Sequence, residues 1–298
     1  MMTFFKRSFP NYFYTKDSTR IFYTTNFERN EFDANKPTLV FIYGLLCSNG
    51  HFKYQLPFFD NLDYQILIHD YRFHYSSSQD GDIKSCNFKQ IADDLKELLD
   101  ELQINSAHFI SHSMGVNISL EFTKNFPEVV RSQTLISGTI VAPQDIMFDT
   151  NLVDVFSPLL KELSHKYPNV FENIWKTSYM NPLARFLVFD GGFNTKTTTL
   201  DFVELYMKKI SELPKELFFH LLEEMKNHDV ISYLETIKNP TLIVGGDKDK
   251  VIPNYLQQIL HKKIEKSELY IVKDGSHVPQ VDFPEIINKR INRFLNKH

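Results

Sequence analysis

An α/β fold is what this 298-residue sequence predicts: a mostly parallel central sheet flanked by helices, with an inserted helical segment. Three observations lead there. Short continuous apolar runs alternate with helix-period stretches, the pattern of strands buried on both faces of a covered sheet. The alternation stops between 143 and 230, where helix-like spacing dominates. It resumes from 231 with two further strand-like runs. The expected organisation is a core whose first part is 1–142, a helical insertion at 143–230, and the second part of the core at 231–298.

The elements follow in order. Residues 11–16 and 20–25 are aromatic and β-branched around Asp17-Ser18 and suit a hairpin. TLVFIY at 38–43 ends at Gly44, and YQILIH at 64–69 ends at Asp70; both read as buried strands. Asn87 with Gln90 three residues later matches a capping box, and Phe88, Ile91, Leu95, Leu98, Leu99 and Leu102 follow at helical spacing. AHFIS at 107–111 and QTLIS at 133–137 read as strands, with a helix over 116–126 between them. In the insertion, Leu159, Leu160 and Leu163 mark one helix. Leu200, Val203, Tyr206, Met207 and Ile210 mark a second, and Leu217, Leu221, Leu222 and Met225 a third, with GGFNTKTTT at 191–199 as a loop. TLIVG at 241–245 and ELYIV at 268–272 are strands around a helix at 255–263. Ile286, Ile287, Ile291, Phe294 and Leu295 mark a closing helix.

Composition narrows the function. Lys+Arg at 33 against Asp+Glu at 37 leaves a net charge of −4, so nucleic acid is not an expected partner. Two cysteines, Cys47 and Cys86, make no disulfide framework and no metal spacing, as in a reducing compartment. No run approaches the roughly 18 apolar residues of a membrane span, and MMTFFKRSFP has neither the apolar stretch nor the cleavage site of a signal peptide. A cytoplasmic location is the expectation. Phe4, Phe5 and Phe9 leave a weak contact with a membrane surface open.

SHSMG at 111–115 carries the chemistry. It lies between a predicted strand and a predicted helix, where a serine at a sharp turn projects its hydroxyl above the sheet beside a helix N-terminus. Ser111 stands where glycine is usual and is small enough for a tight turn. Asp249 lies past the strand TLIVG, and His277 past ELYIV, 28 residues later. All three of Ser113, Asp249 and His277 therefore fall past the carboxyl ends of parallel strands, where open α/β sheets place their sites. A neutral imidazole can take the serine proton while a carboxylate orients the ring.

With these residues in this order the chain resembles the α/β-hydrolases with a helical cap, over nearly its whole length. PTLVFIYGLL resembles the strand and oxyanion loop, HDYRFHYSS the D-x-R-G-H-G-x-S stretch, SHSMG the nucleophile elbow, NPTLIVGGDKDKVIP the acid strand, and GSHVPQVDFPEIINKRINRFL the histidine loop and closing helix. The resemblance implies a serine hydrolase. Ser113 would be the nucleophile, His277 the general base and Asp249 its carboxylate, ahead of the nearby Asp247. The N–H groups of Leu45 and Met114 would form the oxyanion hole. No metal and no organic cofactor are implied. The expected substrate is a small acyl compound, an ester or relative, with an apolar portion. Two alternatives keep the fold: a cofactor-free perhydrolase or C–C bond hydrolase with the same triad, and a non-catalytic ligand receptor. The chain departs from the family pattern at Tyr43, where histidine is usual, at Phe73 and Tyr75, where glycines are usual, and at Val116, where a second glycine often follows the elbow.

Other residues read more plainly. His112 is expected to be structural, and His51, His69 and His74 to make ordinary polar contacts rather than bind metal. Cys47 reads as a buried thiol. Trp175, Tyr179, Phe186, Phe189 and Phe193 are expected to pack within the insertion more than to touch substrate, and Arg185 to form a surface ion pair.

Overall fold

The computed structural model describes residues 5–138, 140, 159 and 161–298. Eight strands form one sheet: β1 (Phe9–Tyr14), β2 (Arg20–Thr25), β3 (Thr38–Ile42), β4 (Gln65–His69), β5 (Ala107–His112), β6 (Val130–Ile136), β7 (Thr241–Gly246) and β8 (Ser267–Val272). Their order is β1-β2-β4-β3-β5-β6-β7-β8. The hairpin β1–β2 joins antiparallel, and every pair from β4–β3 to β7–β8 is parallel. All residues of β3, β4, β5 and β7 are buried, as continuous apolar strands between two helical layers should be. β8, at the edge, is half-buried.

This order places the site. From β3 the chain crosses to β4 on one side, and from β5 to β6 on the other. The loops leaving β3 and β5 diverge, and a crevice opens between them at the carboxyl ends of two adjacent strands. The register sets Ile42 against Ser111, so Gly44 and Ser113 face each other across the crevice.

Three helices follow in the first part of the core: α1 (Gln55–Asn61), α2 (Phe88–Glu101) and α3 (Met114–Asn125). The α2 face expected from its spacing is buried. Its N-terminus is only half of the expected capping box. Asn87 accepts from the Gln90 N–H at 2.8 Å, but the Gln90 amide bonds Asp94 at 3.0 Å. The second arm serves the buried ion pair of Arg72 with Asp94, whose forked bonds are 2.8 and 2.6 Å. In the closing helix Pro284–Leu295, Ile286 is 49% exposed while Asn288 is buried, so the inward face is rotated from the expected one. Asn288 is drawn in because its side chain bonds Gln55 and the Tyr54 carbonyl.

Between β6 and β7 the described residues include the helices Pro168–Thr177, Pro182–Gly192, Leu200–Ser211 and Lys215–Asn227. The first two were not expected, and the second consumes the start of the anticipated 191–199 loop. Pro at the first position and Asn181 accepting from the Leu183 and Ala184 N–H groups begin Pro182–Gly192. Leu159 and Leu163 are exposed and Leu200 is 61% exposed, so these three apolar positions do not face a core. Leu160 and the expected boundary at 142/143 lie outside the described residues, as does Phe4. Phe5 is buried rather than presented to a surface.

Candidate active site

Ser113 sits at the hinge between β5 and α3 with φ 55° and ψ −125°, conformational territory that side chains rarely enter. It is held there on both sides. Its N–H donates to the Ile136 carbonyl at 2.9 Å, and its carbonyl accepts from the Val116 N–H at 2.9 Å. Two close approaches make the turn possible. A Cβ on Gly115 would strike the carbonyls of Ile42 and Tyr43, so only glycine lets α3 start this near β3. Val116 occupies the space that a second glycine would leave, and Gly138 on the next strand end accommodates it, since a Cβ there would overlap the valine side chain. Gly115→Ala should push α3 away from β3, costing about 1–3 kcal/mol or more. The urea midpoint should fall together with any activity that depends on Ser113.

His277 follows β8 in a loop fixed from beneath. Asp282 accepts from the Ser276 N–H and hydroxyl, each at 2.7 Å. The ring lies between the other two residues: Nε2 is 3.0 Å from Ser113 Oγ and Nδ1 is 3.0 Å from Asp249 Oδ2. The second oxygen of Asp249 accepts from the N–H groups of Val251 and Ile252, both at 2.8 Å. A carboxylate held that way accepts the Nδ1–H and leaves Nε2 as the acceptor for the serine proton. The Asp249 side chain is 1% exposed, whereas Asp247 is exposed on the surface. The geometry thus brings Ser113, His277 and Asp249 together and leaves Asp247 out.

Leu45 and Met114 flank the serine, Leu45 in the loop after β3 and Met114 opening α3. Among the described residues neither N–H is engaged by a hydrogen-bond acceptor. Tyr43 explains how the loop keeps its place without the usual histidine. The Tyr71 N–H donates to the Tyr43 hydroxyl at 3.2 Å, the Tyr71 hydroxyl donates to the Tyr43 carbonyl at 2.8 Å, and the rings stack at 4.2 Å. Burial holds both hydroxyls well above the usual tyrosine range, so they stay protonated donors. Phe73 and Tyr75 have φ of 62° and 43°, the conformation glycine would take. Both side chains thus sit on left-handed backbone at the positions where the family pattern has glycine. Tyr75 then reaches across, its hydroxyl donating to the Cys47 carbonyl at 2.9 Å and near the Leu46 carbonyl at 3.3 Å.

A cavity of about 370 Å³ adjoins Ser113, walled by Leu45, Val188, Phe193, Tyr206, Ile210 and Val251 among others. Of the five insertion aromatics, Phe193 lines it; Trp175 instead donates to the Leu213 carbonyl and Phe186 is exposed. Arg185 pairs with Glu204 at 2.6 Å. Cys47 is buried on the cavity wall, and burial pushes its thiol up to about 12, leaving it un-ionised. His112 donates its Nε2–H to the His277 main-chain carbonyl, 2.9 Å away, which makes Nε2 the protonated nitrogen. Burial holds His112 well below the usual histidine range, and lowers His51, stacked on it at 5.9 Å, to about 4. Both rings are neutral. His51 and Tyr206 were not singled out as site residues by sequence reasoning; the aromatic abundance of the chain (27 Phe, 14 Tyr) drowns any such signal.

A doubly covered parallel sheet with a strained serine above its switch point defines a class of fold and site in which an acyl group can be attacked from a hydroxyl. The family model described as alpha/beta hydrolase fold matches residues 37–284, and the chain belongs to that family. A relative in Escherichia coli O139:H28, a 2-hydroxy-6-oxononadienedioate/2-hydroxy-6-oxononatrienedioate hydrolase, is 27% identical over 214 residues, 67% of this chain. That match spans 66% of the relative's own length, just under two thirds. Among solved structures, the enol-lactonase of Burkholderia xenovorans LB400 superposes with a TM-score of 0.75 at 17% identity, covering 96% of this chain and 100% of that one. A bromoperoxidase from Bacillus anthracis gives 0.73 at 18%, covering 96% and 99%. At these identities the likeness is one of fold. Among the described residues no helix is long and apolar enough to cross a membrane, and no group of three or more His, Cys, Asp or Glu is placed to hold a metal.

Proposed function

We propose that this chain is a serine hydrolase that cleaves a carboxylic ester with an uncharged, apolar acyl group through an acyl-enzyme. The observation that carries the reading is the continuous hydrogen-bond chain from Ser113 Oγ through His277 to Asp249. Ser113 Oγ attacks the acyl carbonyl as its proton passes to His277 Nε2. The Leu45 and Met114 N–H groups take the charge that develops on the carbonyl oxygen, where one donor is typically worth about 3–4 kcal/mol. His277 returns the proton to the departing alcohol, and water, activated by the same ring, releases the acid. The helical segment between β6 and β7 acts as the cap, supplying Val188, Phe193, Tyr206 and Ile210 to the acyl pocket.

The relative from Escherichia coli raises a second reading, C–C bond hydrolysis of a dioate. The cavity argues against that substrate. No Lys or Arg is among its lining residues, and residues 141–158 contain neither type, so no cation stands ready for a terminal carboxylate. Burying an unpaired carboxylate costs several kcal/mol. Between p-nitrophenyl hexanoate and p-nitrophenyl hydrogen adipate, kcat/KM should favour the first by roughly 100-fold. Equal rates would sink the uncharged-pocket reading. Because the imidazole must accept the serine proton, His277→Gln should lower kcat/KM on the hexanoate by about 10³-fold or more. An unchanged kcat/KM in that variant would remove His277 from its role. Tight binding of such esters without turnover would instead favour a receptor.

A further inference from the structure

A second cavity, of about 350 Å³, lies on the reverse side of the loop that follows β3. It shares no lining residue with the cavity at Ser113. Two structures form the partition. In the loop, Leu45, Cys47 and His51 face the serine, while Ser48, Asn49 and Gly50 face the second cavity. On the helix Leu200–Ser211, Tyr206 and Ile210 face the serine, and Leu205 and Lys209 face away from it.

The floor of this cavity is Asp70, the residue just past β4, 6% exposed. Its main chain is fully tied down: its N–H donates to the Phe22 carbonyl at 2.9 Å, and its carbonyl accepts from the Ser77 hydroxyl at 2.7 Å. Its carboxylate is not. Among the described residues the one donor to it is the Ser76 N–H, at 3.2 Å. A carboxylate out of water normally gathers several donors or a cation. Lys209, at the rim, is already committed, paired with Glu212 at 2.6 Å and lying over the Tyr75 ring at 5.2 Å. Burial accordingly pushes the Asp70 carboxyl up to about 7, against the lesser lowering effects of the Ser76 N–H and the Lys209 charge. The walls above it, Phe5, Phe22, Ile68 and Leu205, are apolar.

We propose that this cavity is a second ligand site, selective for a small primary ammonium carried on an apolar arm, with Asp70 as the counter-ion. The ammonium supplies the donors that the carboxylate lacks, and the apolar arm lies between the aromatic walls and Leu205. The site is independent of the acyl chemistry at Ser113.

The test is calorimetric titration of the full chain, in amine-free buffer, with n-hexylammonium and phenethylammonium chloride, and with hexanol as the uncharged control. Both cations should bind with a Kd of roughly 1 mM or tighter, and hexanol far more weakly. Asp70→Asn keeps an acceptor for the Ser76 N–H but removes the charge, and should weaken the cations about 30-fold or more. Two variants on one helix locate the ligand: Leu205→Trp fills the second cavity and should abolish binding, while Ile210→Trp fills the cavity at Ser113 and should leave it unchanged. The reverse pattern for the two tryptophans, equal affinity for hexanol, or no binding of either cation would each overturn the proposal.

Discussion

Replacing Ser113 by alanine is expected to lower kcat on p-nitrophenyl butyrate by about 10⁴ or more, with little change in melting temperature. The size follows from the geometry. Oγ is the only atom the substitution removes, and His277 Nε2, 3.0 Å away, then has no proton to take. The fold should not notice, because the bonds that hold the turn run through main-chain atoms of residue 113 to Ile136 and Val116. The unmodified chain should release a burst of p-nitrophenol equal to one per active site when deacylation is slow, and the variant none. Equal activity in the two proteins would mean that another group does the chemistry, and the assignment of Ser113 would fall.

Arg72→Met is expected to cost about 3–5 kcal/mol of stability, read from urea unfolding. Arg72 and Asp94 are both almost wholly buried, with side-chain exposures of 2% and 4%. Removing the cation strands the carboxylate against the apolar face of α2. Burial already holds Asp94 above the ordinary carboxylate range despite its partner, and the loss of Arg72 raises it further. With the folded value above the unfolded one, the folded state binds more protons in between. The variant should therefore be most stable in mild acid and lose stability as pH rises through the raised value. Arg72→Met with Asp94→Leu should recover most of the loss, since the stranded charge is gone. If the double variant is no better than the single one, the cost lies in packing, and the electrostatic account is wrong.

The parts of the site that could be read in the sequence are those marked by local punctuation. Ser113, Asp249 and His277 each follow an apolar run that stops at a small or turn-forming residue, so strand end and site residue coincide. Asp70 follows the same rule, at the end of YQILIH, yet nothing local distinguishes an acid that caps a turn from one that floors a cavity. That distinction comes from Phe5, Phe22 and Leu205, which belong to three distant segments. His51 was equally illegible: its neighbours His112, Phe202 and Tyr206 come from two other elements. Periodicity failed where tertiary contacts overrode it. Ile286 fits the closing helix's spacing but is exposed because Asn288 is pulled inward. Leu200 sits at the N-terminus of its helix, beyond the reach of the core that takes Val203 and Met207. Gln90 had the right spacing for a capping box, and a stronger partner in Asp94 claimed its amide.

Phe73 and Tyr75 hold glycine-like backbone angles, at a cost of about 1–2 kcal/mol each. Opening residues 70–78 would relieve that strain, but the loop is packed in, with Tyr71, Arg72, Phe73 and His74 buried and Arg72 paired with Asp94. It cannot open by itself. The Tyr75 hydroxyl is bonded to the carbonyls of Leu46 and Cys47, and Tyr71 to that of Tyr43. Amide exchange in 43–47 and in 70–78 should therefore proceed at one common rate, the two loops behaving as a single cooperative unit whose lifetime limits how long the serine crevice stays assembled.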